Sequence, residues 1–246
     1  MEPTLRGLQG EFGEGIEWTF VMGGLARALE ADPGRVFEWL EAGDRGAMPV
    51  DPRIWMPAHG PAAAPRSSYP ACIAVKAAAE QGDPSRYLRR LREGLLARRR
   101  KLDTTEALVE EARAVPGMEV ERFRIDLASN WTVERFGADL ERTREDSRRI
   151  LPTVEFEGAD AVHAVYGFSD LATLRTAALA AGAEPRAAHA LGVEDALARL
   201  GTLATPEVAT LCDLPGPRAA AELWRLTLEW RVRAERVLTG ELWSVA

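Results

Sequence analysis

Ile150-Leu151-Pro152-Thr153-Val154-Glu155-Phe156-Glu157-Gly158 is the stretch on which the fold turns. A proline opens it and an alternating run follows. Glu157-Gly158-Ala159-Asp160 then turns the chain into a second short strand, Ala161 to Tyr166. Proline has no amide hydrogen to give to a sheet ladder, so its place at the start of a strand answers a local need. Beyond the hairpin, Ser169 is placed to cap a helix carrying Leu171 and Leu174, which stops at Gly182.

Working outward, Thr132 to about Arg148 reads as helix through Val133, Phe136 and Leu140. At the start of the chain Leu5, Leu8 and Phe12 make one helical stripe, with Pro3 in the first turn and Gly13 and Gly15 at the end. Ile16, Trp18, Phe20 and Met22 then alternate with Glu17, Thr19 and Val21, which predicts a strand closed by Gly23-Gly24. A buried sheet would normally place another strand before that first helix.

Strand patterning disappears from Ala26 to about Asn130. Val36, Trp39 and Leu40 suggest a short helix, and Pro49 to Pro65 is proline-rich and irregular. Ser68 is placed to cap a helix through Cys72, Val75 and Lys76, and another follows Pro84 with Tyr87, Leu88, Leu91 and Leu95 on one face. Asp103 and Glu106 have capping-box spacing ahead of Leu108 and Ala112, and Val120, Phe123 and Leu127 form a further stripe. In the tail from Ala183, Val193, Leu197 and Leu200 share a face, and Thr205-Pro206 starts a helix. A longer helix is expected from about Pro217 to Arg236, with Glu229 and Arg233 as an i, i+4 pair. The order is therefore an α/β sheet domain interrupted by a helical subdomain.

The net charge of −7 argues against general affinity for nucleic acid. No apolar run approaches the roughly 18 residues of a membrane span. Only Lys76 and Lys101 are lysines, and the arginine run from Arg86 to Lys101 reads as a solvated helix face. Cys72 and Cys212 form no Cys-x-x-Cys pair, and His59, His163 and His189 occupy no zinc-like spacing, so no metal site is expected. Both cysteines read as small buried residues, His59 and His163 as structural, and the tryptophans as packing residues.

These segments together resemble the DsbA family of thioredoxin-fold disulfide oxidoreductases, in particular the cytoplasmic FrnE-like branch. Glu2-Pro3-Thr4-Leu5-Arg6-Gly7-Leu8 resembles the helix that follows that family's Cys-x-x-Cys. Trp18-Thr19-Phe20-Val21-Met22-Gly23-Gly24-Leu25 resembles its second strand, and Ser67-Ser68-Tyr69-Pro70-Ala71-Cys72 the start of its inserted helices. Leu151-Pro152-Thr153 resembles the cis-proline signature. The resemblance implies a thioredoxin-like sheet domain with a large inserted helical subdomain and a helical C-terminal extension. Its parts are residues 1–25 (first helix and strand, incomplete at the N-terminus), 26–130 (inserted subdomain), 131–182 (the remainder, with the cis-Pro loop) and 183–246 (the extension).

In the family a thiolate at a helix N-terminus attacks a disulfide through a mixed disulfide. The residue before the cis-proline, here Leu151, offers backbone hydrogen bonds to an extended substrate. The resemblance thus assigns substrate contact to Leu151, Pro152 and Thr153, and implies a protein or small-thiol disulfide substrate, with no cofactor, in the cytoplasm. It also places a first strand and a dithiol before Glu2, so the expectation is a polypeptide that begins inside the domain and does not exchange dithiols as it stands. Two other readings share the fold: a non-catalytic adaptor binding a protein partner in the thioredoxin-like groove, and a glutathione-linked enzyme of the kappa-transferase type.

Overall fold

Two hairpins and a set of short helices make up the structure, a computed structural model that describes residues 1–24, 27, 65–98, 100–144, 150–186, 190–237 and 240–246. The expected helix around Trp39, the proline-rich stretch, His59 and His189 lie outside the described residues. The described chain divides into two compact units. One holds Met1–Thr19 and Ile150–Ala246, and the other holds the described residues from Phe20 to Arg144.

In the first unit, α1 (Glu2–Phe12) begins with proline in its first turn and ends at Gly13. The stretch read as decisive forms β1 (Thr153–Glu157), antiparallel to β2 (Val162–Tyr166), with Val154 opposite Val165 and Phe156 opposite His163. Alternation sends Val154, Phe156 and Val165 to one face, where they pack with Leu8 and Phe12 of α1. Leu174 and Ala178 of α7 (Leu171–Ala180) complete that core. Gly158 is required at the hairpin's end because a side chain there would meet the carbonyl oxygen of Ala181 at 2.3 Å. The cap of α7 is Asp170, one residue past the expected Ser169, and its carboxylate accepts from Thr173 N–H at 2.8 Å.

Ile16 to Met22, expected as a strand, pairs with no strand among the described residues. Its apolar side chains are divided. Ile16 and Trp18 join the core of the first unit, whereas Phe20 and Met22 pack into the helical one. The Phe20 carbonyl accepts from Lys76 Nζ at 3.3 Å, and Met22 N–H donates to Asp139 Oδ2 at 2.8 Å. Lys76 and Asp139 are themselves paired at 2.9 Å. Side chains thus satisfy backbone groups that a ladder would otherwise have taken.

The helical unit is α2 (Tyr69–Ala79), α3 (Ser85–Arg92), α4 (Thr105–Arg113), α5 (Val120–Leu127) and α6 (Asn130–Arg144). A π-helical turn, Glu93–Ala97, continues α3. Its core gathers Val75, Tyr87, Leu91, Leu108 and Phe123, with the Tyr87 hydroxyl donating to the Leu108 carbonyl at 3.0 Å. The cap of α4 is Thr104, whose hydroxyl accepts from Ala107 N–H, while Asp103 accepts from Arg66 N–H at 2.6 Å. At α2, Ser67 accepts from Tyr69 N–H, and the expected cap Ser68 makes no such bond.

The arginine run is not a solvated face. Glu93 and Glu111 are each only 1% exposed. Arg89 and Arg98 hold Glu93 at 2.8 Å each, and Arg90 holds Glu111 at 2.8 Å beside Arg100. A buried carboxylate without a partner is costly, which explains why this segment is so basic.

The tail differs most from expectation, because it carries strands as well as helices. Its order is α8 (Val193–Leu200), β3 (Leu203–Ala204), α9 (Thr205–Leu211), α10 (Arg218–Leu228), β4 (Val232–Val237) and β5 (Gly240–Val245). The sheet order β3-β5-β4 places the last strand in the middle. Helix, strand, two helices and a hairpin thus follow one another in the tail. Helix α10 stops at Leu228 because Trp230 takes a left-handed conformation, φ 59°. Arg231 N–H then bonds the Leu226 carbonyl and Trp230 N–H the Thr227 carbonyl, both at 3.0 Å, which is a Schellman ending. Glu229 pairs with Arg225 and Arg231 instead of Arg233. The tail packs on α1 through α9. Side chains at Gly7 and Gly10 would meet Thr210 and Leu211 at 3.0 and 3.2 Å, so the glycines permit the approach. Arg6 reaches the buried Glu207, whose carboxylate also accepts from Ala204 N–H.

Candidate docking site

The residues singled out from the sequence meet at the open end of the β1–β2 hairpin. The Leu151–Pro152 peptide bond is cis. The Pro152 carbonyl accepts from Gly167 N–H at 2.8 Å, which ties the loop to the strand that follows. The Thr153 hydroxyl donates to the Ile150 carbonyl. Leu151, Pro152 and Thr153 are all partly exposed, and Ile150, Tyr166 and Phe168 lie exposed around them. An apolar cluster beside a fixed backbone corner suits a protein segment better than a small polar molecule. Phe168 gives no signal in the sequence, because it sits beside a turn and outside any periodic stripe, and Tyr166 reads only as the end of a strand.

Neither cysteine lies on the hairpin or the turns that flank it. Cys212 is buried in the tail's core, and burial pushes its thiol up to about 11. Cys72 lies on α2 in the helical unit, and burial, against a backbone hydrogen bond from Gly24, pushes its thiol to about 11 as well. Thiols held that high are almost wholly protonated near neutral pH and make poor nucleophiles. His163 lies on β2, opposite Phe156. The tryptophans do not behave as a class. Trp243 is fully buried, Trp18 half-buried, and Trp224 packs edge-on against Trp243 though partly exposed, whereas Trp131 and Trp230 are exposed, against the packing role expected of them.

A hairpin entered through a cis-proline, packed on a helix from each side in sequence, matches a known sequence family. The sequence model of a family described as thioredoxin covers residues 1–176. The chain belongs to this thioredoxin family. Three relatives are named ClpXP adapter protein SpxH. The protein of Halalkalibacterium halodurans is 26% identical over 98% of this chain and 82% of its own length. That of Shouchella clausii is 29% identical over 99% of this chain and 83% of its own. That of Bacillus subtilis is 24% identical over 84% of this chain and 70% of its own. The thioredoxin-family match stops short of the tail, while the first two of these relatives extend across it. Their printed name is that of an adaptor, the reading kept as the alternative, and not of an oxidoreductase or isomerase.

Proposed function

We propose that this protein is a non-catalytic adaptor, which holds a client protein on its thioredoxin-like hairpin and presents it to a ClpXP-type protease. The observation that carries the reading is the similarity to ClpXP adapters across almost the whole chain, tail included. The chemistry of the hairpin supports it. Leu151, Pro152 and Thr153 offer a fixed backbone corner ringed by Ile150, Tyr166 and Phe168, and the two thiols of the chain are poorly nucleophilic. Contact is therefore non-covalent, through backbone hydrogen bonds and apolar side chains. In this reading the protein acts in the cytoplasm and needs no cofactor; no helix among the described residues is long and apolar enough to cross a membrane. The reading rests on the thioredoxin family and these relatives, not on the narrower FrnE-like branch.

The test adds the Cys72→Ala, Cys212→Ala double variant to purified ClpXP and an isotope-labelled soluble proteome. The expected result is a several-fold shorter half-life for a small set of proteins, equal to that seen with the unaltered chain. Unchanged decay of every protein would overturn the reading. So would insulin-disulfide reduction by the unaltered chain that the double variant loses.

A further inference from the structure

Strand β2 has a second side, distinct from the cis-proline corner. The bonds Gly158 N–H to the Ala161 carbonyl and Gly167 N–H to the Pro152 carbonyl fix the phase of the ladder. In an antiparallel pair, hydrogen-bonded pairs alternate with non-bonded ones. His163 and Val165 therefore turn their backbone groups toward β1. Val162, Ala164 and Tyr166 turn theirs outward, and among the described residues β2 pairs with no other strand. Along this side runs an open cavity of about 540 Å³, lined by Val162 to Val165 on one wall. Thr173, Thr176, Ala177 and Ala180, one face of α7, form the other.

The strand's own sequence does nothing to guard this edge. Exposed edge strands usually carry a charge, a proline or a bulge that discourages pairing, and Val162-His163-Ala164-Val165-Tyr166 has none of these. Val162 is 58% exposed. The facing helix wall is made of alanine and threonine, so another backbone could approach closely. The ends of the groove are acidic: Asp160 lies in the turn before β2 and Asp170 at the start of α7, both exposed. The arginines nearby in sequence are committed elsewhere, Arg175 to Glu11 and Arg186 to Glu14.

We propose that the groove between β2 and α7 binds an extended segment of the client protein, which adds to the hairpin as a third strand. The segment carries small or β-branched side chains at alternate positions, which enter the groove, and a lysine or arginine at each end, facing Asp160 and Asp170. This deepens the adaptor reading and rests on it, because the occupant is a piece of the client. Main-chain hydrogen bonds to Val162, Ala164 and Tyr166 supply affinity, and the alternate pockets supply selectivity.

The test uses a fluorescent peptide, acetyl-Lys-Thr-Val-Thr-Val-Thr-Lys-amide, titrated against the full chain and followed by anisotropy. Saturable binding is expected, with amide shifts confined to β2 and α7. Ala164→Pro removes one outward N–H and leaves the β1 ladder intact, as proline is tolerated on an edge. It should weaken the peptide by about tenfold, the value of one good hydrogen bond. Ala180→Trp, at an exposed helix position, should weaken it by filling the groove, and Asp160→Lys should weaken it through charge. Circular dichroism checks that each variant is folded. Absent binding, equal binding by folded Ala164→Pro, or shifts centred on Leu151 to Thr153 would overturn the inference. In the protease assay, a client that Ala164→Pro delivers normally would sink this inference and leave the adaptor reading standing. Peptide binding without any client delivery would sink the adaptor reading, and with it the identity of the occupant, while the groove's affinity for a strand remained.

Discussion

The two hairpins of this protein are built alike and finished differently. Both are antiparallel and pair residue for residue, β1 with β2 and β4 with β5. In the tail, β5 lies between β3 and β4, and its Leu242 and Trp243 are almost wholly buried. The outer strand there, β4, carries Arg233, Glu235 and Arg236, and Arg236 pairs across the ladder with Glu241 at 2.7 Å. Its edge is defended by charge. The β1–β2 hairpin buries Phe156, but β2 shows Val162 and Tyr166 to solvent and has no charged residue along its length. On the proposed reading, the difference separates a hairpin that holds the fold together from one that holds a client. A charged edge repels a further strand, whereas an apolar uncharged edge beside a small-residue helix invites one.

The largest effect expected of a single change tests the structural side of this contrast. Trp243→Ala removes a fully buried ring, its edge-on packing against Trp224 at 5.1 Å and its indole hydrogen bond to the Thr205 hydroxyl at 2.9 Å. The expected loss is about 3–5 kcal/mol, the usual range for a buried Trp→Ala change. Urea unfolding followed by circular dichroism measures it. Val162→Ser on the other hairpin should move stability by less than about 0.5 kcal/mol, as for an exposed position, while weakening the peptide of the β2 groove. Comparable stability losses from the two changes would erase the distinction drawn between the hairpins.

How far the sequence foretells this arrangement differs between the same two regions. The β1–β2 hairpin is legible because Val154 and Phe156 alternate cleanly, Glu157 to Asp160 make an obvious turn, and Pro152 marks the entry. Its neighbour, Ile16 to Met22, alternates just as cleanly and yet is no strand. Alternation reports burial of every second side chain, and here two different cores take these in turn while Lys76 and Asp139 take the backbone bonds. The tail misleads in the opposite direction. Val232-Arg233-Ala234-Glu235-Arg236-Val237 spaces its charges as a helix surface would, so Glu229 and Arg233 read as an i, i+4 pair. The stop that separates helix from strand is a tryptophan in a left-handed conformation, where a glycine would have been the recognisable signal. The arginines from Arg89 to Arg100 were visible, but nothing local shows that Glu93 and Glu111 are buried. Of the candidate site, the cis-proline corner at Leu151 to Thr153 could be read from the sequence. The groove on β2 could not, because it depends on which strand edge the fold leaves open.

Cysteine chemistry sharpens the contrast from the closed side. Cys212 sits in the tail's core with its thiol pushed from about 9 to about 11 by burial. The native state therefore keeps a proton that the unfolded chain releases. The sign follows directly: protons bound by the native state and not by the unfolded one make stability fall as pH rises. Stability from this thiol is intact below pH 9 and lost progressively between 9 and 11. Alkylation by iodoacetamide at pH 8 should be about a hundredfold slower in the folded protein than in urea, from thiolate fraction alone. The Trp243→Ala variant should lose that protection at Cys212 and keep it at Cys72 in the helical unit. Protection lost equally at both would mean that the tail does not open on its own.

The smallest effect concerns the joint between α10 and β4, and its sign is the informative part. Trp230 is 88% exposed and held at a positive φ that costs a residue with a β-carbon about 1 kcal/mol. Its side chain contributes little packing in return, while its backbone makes the Schellman bond that ends the helix. Trp230→Gly keeps the bond and relieves the strain, against the extra freedom glycine gives the unfolded chain. A net gain of about 0.5–1 kcal/mol is therefore expected in the same urea measurement. A loss of more than about 1 kcal/mol would show that the indole packs on something the hairpin needs. The tail would then have an exposed face of its own with a partner to hold, and the division of labour between the two hairpins would have to be redrawn.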